Sequence, residues 1–251
     1  MKYISILIIA LFGLLSSCKD EPIEVPEPEV NEMQVNISHT FSSEELIFFN
    51  KDYTIASEEK ISLKRFAYLL GDFYLVKNDD TKVYLTDQYA LIVPSSNQNS
   101  YVLKDIFMGD YKAIGFSLGL DSAVNQGNPN QYATDHPLSP INNSMHWSWA
   151  GGYIFTALEG NLSGTTDNFV FHLAGSENKI DYEFPLTFNK GMKKLKAEFN
   201  YDLSEVFKNP SNFSMANDGM STHSTSDPVT LKLFANMKDV FTLNEITAAT
   251  E

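Results

Sequence analysis

Residues 33–41 read M-Q-V-N-I-S-H-T-F, an unbroken alternation of core-type and polar side chains. On a strand, successive side chains point to opposite faces, so Met33, Val35, Ile37, His39 and Phe41 share one face. A helix would scatter them around its axis. A series of further strands opens with R-F-A-Y-L-L-G-D-F-Y-L-V and K-V-Y-L, which flank the turn cluster N-D-D-T and read as a hairpin. It continues through Y-A-L-I-V, S-Y-V-L and Y-K-A-I-G-F-S-L. Beyond residue 160 it resumes in N-F-V-F-H-L-A, I-D-Y-E-F-P-L-T-F and K-L-K-A-E-F-N-Y. Many short strands between turn signals predict an all-β fold, an antiparallel β-sandwich with a few short helices. The aromatic content of 13% suits strands.

Two helix starts stand out. Asp202 with Glu205 three residues on forms a capping box for a short helix through Phe207. Asp227-Pro228 opens a second, near the C-terminus, over V-T-L-K-L-F-A-N-M-K-D-V-F, with Val229, Leu233, Met237 and Val240 on one face. The long connection 120–144, rich in Asn, Gly and Pro, is the outlier, because a loop of this length in a compact domain is usually functional.

The N-terminus predicts an address. Lys2 precedes a short apolar run that ends in Leu15-Ser16-Ser17-Cys18. This is a signal-peptide layout, too short for a membrane span of about 20 residues. It resembles the lipobox of bacterial lipoproteins, in which the cysteine becomes the lipidated first residue. Cys18 is the chain's sole cysteine, so it reads as an anchor rather than half of a disulfide. Residues 19–32 carry six acids, three prolines and one lysine, an extended tether that cannot build a core. The expected organisation is therefore a lipoprotein signal peptide over 1–17, lipidated Cys18 and its tether over 18–32, and one β-sandwich domain over 33–251. The expected location is the cell envelope, anchored to the outer membrane and either periplasmic or surface-exposed. A net charge of −14 argues against nucleic acid as a partner and favours the attraction of cations.

Candidate chemistry gathers at 145–155, M-H-W-S-W-A-G-G-Y-I-F, which holds both tryptophans, Trp147 and Trp149. The pair can be a core anchor, a sugar-stacking platform or raw material for an unusual metal site. If the segment is extended, the two indoles share a face and His146 points away. Gly151-Gly152 then breaks the element or admits another backbone. G-F-S-L-G at 115–119 matches the nucleophile-elbow pattern as text, but the elbow needs a strand-to-helix turn and no helix follows. Nothing in the sequence points to an enzyme. The five histidines, His39, His136, His146, His172 and His223, form no local zinc spacing, so any metal site must be assembled from distant segments. His39 and His172 sit in strands, where a hydrogen-bonded core histidine is the commoner outcome. His136 lies in the long loop. M-A-N-D-G-M-S-T-H adds Met215, Met220 and His223 in a segment that reads as a solvated loop, with thioether and imidazole chemistry suited to copper.

G-F-S-L-G-L-D-S-A-V-N, H-P-L-S-P, M-H-W-S-W-A-G-G-Y-I-F-T-A-L-E-G, F-V-F-H-L-A-G and the closing L-F-A-N-M-K-D-V-F, in that order, resemble the MbnP-like copper-binding domain family. The resemblance implies a β-sandwich that binds one copper. In characterised relatives a tryptophan is oxidised to kynurenine, whose aromatic amine joins histidines around Cu(I), and an MbnH-like di-haem peroxidase performs the oxidation. Carried over, His172 matches the family's F-H-L histidine, and Trp147 and Trp149 match the tryptophan pair. The chain departs from the family at Asn125-Gln126, where methanobactin-associated members read roughly Asn-His. Gln126 is a poor ligand for soft copper, which leaves His136 and His39 as the residues to compensate. The alternative, a metal-free surface module for a glycan or a partner protein, keeps the fold and loses the metal.

Overall fold

The computed structural model describes residues 30–107, 109–147, 151–188 and 194–248. The leader, Cys18, most of the tether and Trp149 lie outside these residues. Fifteen strands run through the described chain. The first half holds β1 (Val30–Phe41), β2 (Glu44–Glu45), β3 (Asp52–Thr54), β4 (Lys60–Lys77), β5 (Lys82–Tyr84), β6 (Ala90–Ile92), β7 (Ser100–Phe107) and β8 (Tyr111–Leu118). The second half holds β9 (His146–Trp147), β10 (Gly152–Leu162), β11 (Asn168–Ala174), β12 (Ile180–Phe188), β13 (Leu195–Asp202), β14 (Ser221–Thr222) and β15 (Phe241–Ala248). The expected sandwich is what forms, but each sheet is mixed rather than wholly antiparallel, with β1–β13 and β11–β14 parallel. β1 starts at Val30, so the last three residues read as tether belong to a strand.

The smaller sheet runs β15-β13-β1, with β7 and β2 sharing the far edge of β1. β1 and β13 are parallel, Met33 opposite Leu195 and His39 opposite Tyr201. The larger sheet is organised by the 18-residue β4. Tyr68 pairs with Thr156 of β10 and Ile92 of β6, and Leu70 pairs with Leu118 of β8 and Ala90 of β6. Since β6 occupies one edge of β4, β10 and β8 must lie end to end along the other. β12 extends the sheet beyond β8, and β11 then β14 extend it beyond β10.

The core is aromatic. The alternating face of β1 is buried as expected: Met33, Val35, Ile37, His39 and Phe41 are all at most 7% exposed. Across the interlayer, Tyr68 stacks on Tyr201 at 5.2 Å, and Phe116 meets Phe199 and Phe241 at 5.5 and 5.2 Å. Ser117 is fully buried within β8, its Oγ donating to Gly71 O and Asp72 Oδ2, so the G-F-S-L-G text is not a nucleophile elbow. Asp202 caps a short 3-10 turn, Leu203–Phe207, by accepting the Ser204 N–H. Asp227 caps the helix Pro228–Asn236 through the Thr230 N–H. That helix stops earlier than its pattern predicts: a 3-10 turn covers Met237–Asp239, and Phe241 opens β15 instead. Pairing with β13 wins there over helical periodicity, with Tyr201 opposite Phe241.

Candidate functional site

His146 and Trp147 are extended, while residues 148–150 of the tryptophan block lie outside the described residues. β9 pairs with the start of β10, Trp147 opposite Gly152 and His146 opposite Tyr153. The Gly151-Gly152 pair brings bare backbone against Trp147 and Asn125. A Cβ on Gly151 would lie 2.6 Å from Trp147 Cε3, so the indole lies directly against the bare backbone. Gly152 has φ +68°, and a Cβ there would meet Asn125 Oδ1 at 2.5 Å. Asn125, 2% exposed, uses that closeness: its Oδ1 accepts the Tyr153 N–H at 2.7 Å, and its Nδ2 donates to Ser176 Oγ. The long loop is thereby fastened to β10. It also carries a short helix, Ser122–Asn125, and Leu138 O accepts the Tyr153 hydroxyl at 2.7 Å.

Gly152→Ala should cost about 1–3 kcal/mol through a lost buried hydrogen bond and a strained backbone. Gly164 is the control. It too has positive φ, +81°, but nothing lies within 4 Å of its missing Cβ. Gly164→Ala should therefore cost clearly less in urea unfolding, and equal costs would refute the steric account.

The second half of the site forms on the outer face of the larger sheet. In β11, Phe169, Phe171 and Leu173 point inward and are fully buried, so His172 points outward with Val170. Glu159 lies diagonally across on β10 and accepts from His172 Nε2 at 2.9 Å. Arg65, opposite Glu159 on β4, donates to the same oxygen at 2.7 Å. It is the chain's only arginine. Its fork reaches further, Nη2 to Ser144 O at 3.2 Å and to Met145 Sδ at 3.5 Å, so it ties the sheet to the strand leading into Trp147.

β14 completes the cluster. It pairs in parallel with β11, Val170 opposite Ser221 and Phe171 opposite Thr222. The next residue, His223, falls beside His172, with ring centroids 4.7 Å apart at 73°. The Trp147 ring stacks on His223 at 6.4 Å, the two planes inclined at 30°. His172 is half-buried and His223 exposed, so the pair opens to solvent.

Burial alone would raise the Glu159 carboxyl, but the hydrogen bonds from His172 and Arg65 outweigh it and hold it below the usual carboxylate range. Burial lowers His172, against the pull of Glu159, so the ring is neutral at pH 7. An ionised carboxylate only accepts, so Nε2 carries the proton and Nδ1 keeps a free lone pair. A neutral imidazole oriented by a carboxylate is a common metal-ligand arrangement. Among the described residues no group of three or more His, Cys, Asp or Glu is placed to hold a metal ion.

A sequence profile of MbnP matches residues 30–225. The chain belongs to the MbnP family. The structure also superposes on that of MbnP from Methylosinus trichosporium with a TM-score of 0.61 and 15% identity, covering 88% of this chain and 100% of that one. At that identity the likeness is one of fold. Comparison with curated protein sequences gives no match.

Against the MbnP reading, the expected site residues divide. His172 and Trp147 come together, with His223 as the bridge between them. Trp149 lies outside the described residues. His39 is not brought to this cluster. It sits between the two sheets, its Nε2 bonded to the Tyr68 hydroxyl at 2.8 Å, while His172 lies on the outer side of the larger sheet. The larger sheet separates the two rings, so they cannot share an ion. His136 stacks on Tyr132 at 4.4 Å, touches Tyr89, and accepts the Leu138 N–H through Nδ1. That nitrogen is engaged, and the contacts of the ring are with its own loop and Tyr89. Gln126 is exposed at the end of the short helix. Arg65 and Glu159 were not singled out by motif, and the signal available was the lone arginine in a chain rich in lysine. His223 was visible only as part of a methionine-bearing loop, since two residues of parallel pairing leave no local pattern.

Proposed function

We propose that this MbnP family member is a lipid-anchored envelope protein that binds copper at His172 and His223, for copper acquisition or storage. The observation that carries the reading is the pairing of β14 with β11, which sets two imidazoles 4.7 Å apart beside Trp147. Imidazole is a competent copper ligand, and the Nδ1 lone pair of His172 is free. Two nitrogens make an incomplete set. A third donor would come from Trp147, or from Trp149 beyond the described residues, after oxidation to kynurenine exposes an aromatic amine. That oxidation needs an external oxidant, supplied in this reading by an MbnH-like di-haem peroxidase. Cys18 would carry the lipid, and the acidic tether would hold the domain off the membrane.

Copper titration of the purified chain under reducing conditions, against a chromogenic Cu(I) competitor, tests the reading. One equivalent should bind, and alanine at either His172 or His223 should abolish it. Intact-mass measurement of protein from its native host should show the kynurenine conversion, absent after replacement of the modified tryptophan by phenylalanine. Copper binding that survives the His172→Ala, His223→Ala double variant would refute the assignment.

Glu159 supports the site from behind. Glu159→Gln keeps the shape but offers His172 a weaker acceptor and frees Arg65 of its charge partner. Copper affinity should fall by about 10–100-fold, the usual effect of removing an outer-shell partner, with little change in the unfolding midpoint.

A further inference from the structure

A cavity of about 460 Å³ lies at the edge of the smaller sheet, remote from the imidazole pair. It exists because β1 changes partner. β7 pairs with β1 as far as Asn36 opposite Ser100, and β2 takes over only at Thr40 opposite Glu45. Between them the edge of β1 is bridged by single backbone bonds, Ile37 N–H to Asn99 O and Leu46 N–H to His39 O. The gap leads inward to His39, which is 7% exposed and lines the cavity.

The polar groups around this gap are under-used. His39 Nε2 is bonded to Tyr68, but His39 Nδ1 has no hydrogen-bond partner. Asn99 Oδ1, from a second lining residue, has none either. Buried polar atoms are nearly always satisfied, so two unsatisfied ones on residues that line the same cavity call for a partner there. The wall opposite is preformed: Val93 N–H bonds to Gln98 O, Gln98 Nε2 to Leu91 O, and Asn97 caps the turn at φ +61°.

We propose that this cavity is a binding site for a small neutral polyhydroxylated ligand, of the size and chemistry of a monosaccharide. Three features select that class. A hydroxyl both donates and accepts, so it satisfies His39 Nδ1 in either tautomer and the Asn99 carbonyl together. Phe48 and Pro94 supply an apolar wall for the C–H face of a sugar ring. The lining holds no lysine or arginine, and its one carboxylate, Glu45, is exposed at the rim, which disfavours anions. The volume falls in the range of about 300–1,000 Å³ typical of small-molecule sites. The site is independent of copper, since the larger sheet stands between His39 and the metal-type cluster.

Titration of the isotope-labelled full chain with D-glucose and maltose, followed by amide chemical shifts, tests this. Saturable shifts should appear at 37–46 and 94–99, and D-glucuronate should bind at least about ten-fold more weakly. Asn99→Leu, which leaves the interlayer core intact, should remove the sugar response, and His39→Phe should do the same. Copper binding by both variants should be unchanged. Absence of saturable shifts with either neutral sugar up to about 50 mM, well beyond millimolar affinity, would overturn the proposal. So would shifts elsewhere on the surface, equal binding of glucuronate, or sugar binding retained by a folded Asn99→Leu variant.

Discussion

Urea unfolding at pH 7.5 and at pH 5 should differ by about 2 kcal/mol on account of His39 alone. Burial lowers this imidazole from 6.5 to about 3. In the unfolded chain it titrates normally, so below pH 6.5 the unfolded state binds a proton that the folded state refuses. Stability from the neutral ring is complete above pH 6.5 and falls as the pH drops toward 3. Over the 1.5 units between 6.5 and 5, at about 1.4 kcal/mol per unit, the loss reaches about 2 kcal/mol. Burial also lowers His136, His146 and His172, so their contributions add in the same direction. His39→Gln isolates the term. The variant should start less stable but lose about 2 kcal/mol less than the wild type over the same interval. Parallel pH profiles for the two proteins would show that His39 is not held neutral by its surroundings.

Phe116→Ala should cost more than any surface or turn substitution, about 3–5 kcal/mol. Phe116 is 1% exposed and sits where the two sheets face each other. Its ring lies 6.0 Å from Phe73, 5.7 Å from Tyr182 and from Phe184, and 5.5 and 5.2 Å from Phe199 and Phe241. Those neighbours come from β4, β12, β13 and β15, each held by its own hydrogen-bond ladder, so the hole left by the ring cannot collapse. For a domain this large the thermal midpoint should fall by about 10 °C. Phe116→Leu fills most of the volume and should recover more than half of the loss. A drop of less than about 1 kcal/mol for the alanine variant would mean that the sheets close over the gap.

The strands were legible because one buried face imposes a period of two. The run 33–41 places His39 in the core as firmly as its aliphatic neighbours, whereas F-V-F-H-L-A puts His172 on the face of Val170 without saying that this face is the outer one. The capping aspartates, Asp202 and Asp227, announced their turns for an equally local reason. What sequence could not carry was adjacency between remote segments. Nothing near Ser221 says that it will lie beside Val170, and so nothing says that His223 will meet His172. His39 lies apart from the imidazole pair for the complementary reason: period gives the face of a strand but not which ring waits across the interlayer, and Tyr68 waits there. The end of the C-terminal helix was misread because Val240 suits a helix as well as a chain leading into a strand, and only β13 decides between them.

The parallel union of β1 with β13 has a temporal side. Asn36 finds Glu198 only 162 positions later, and in a parallel pair no hairpin can bring the two together early. β2 and β7 can take one edge of β1 early, but the edge that receives β13 stays open until most of the polypeptide has been synthesised. A chain arranged in this way leaves its smaller sheet open until its second half is available to close it.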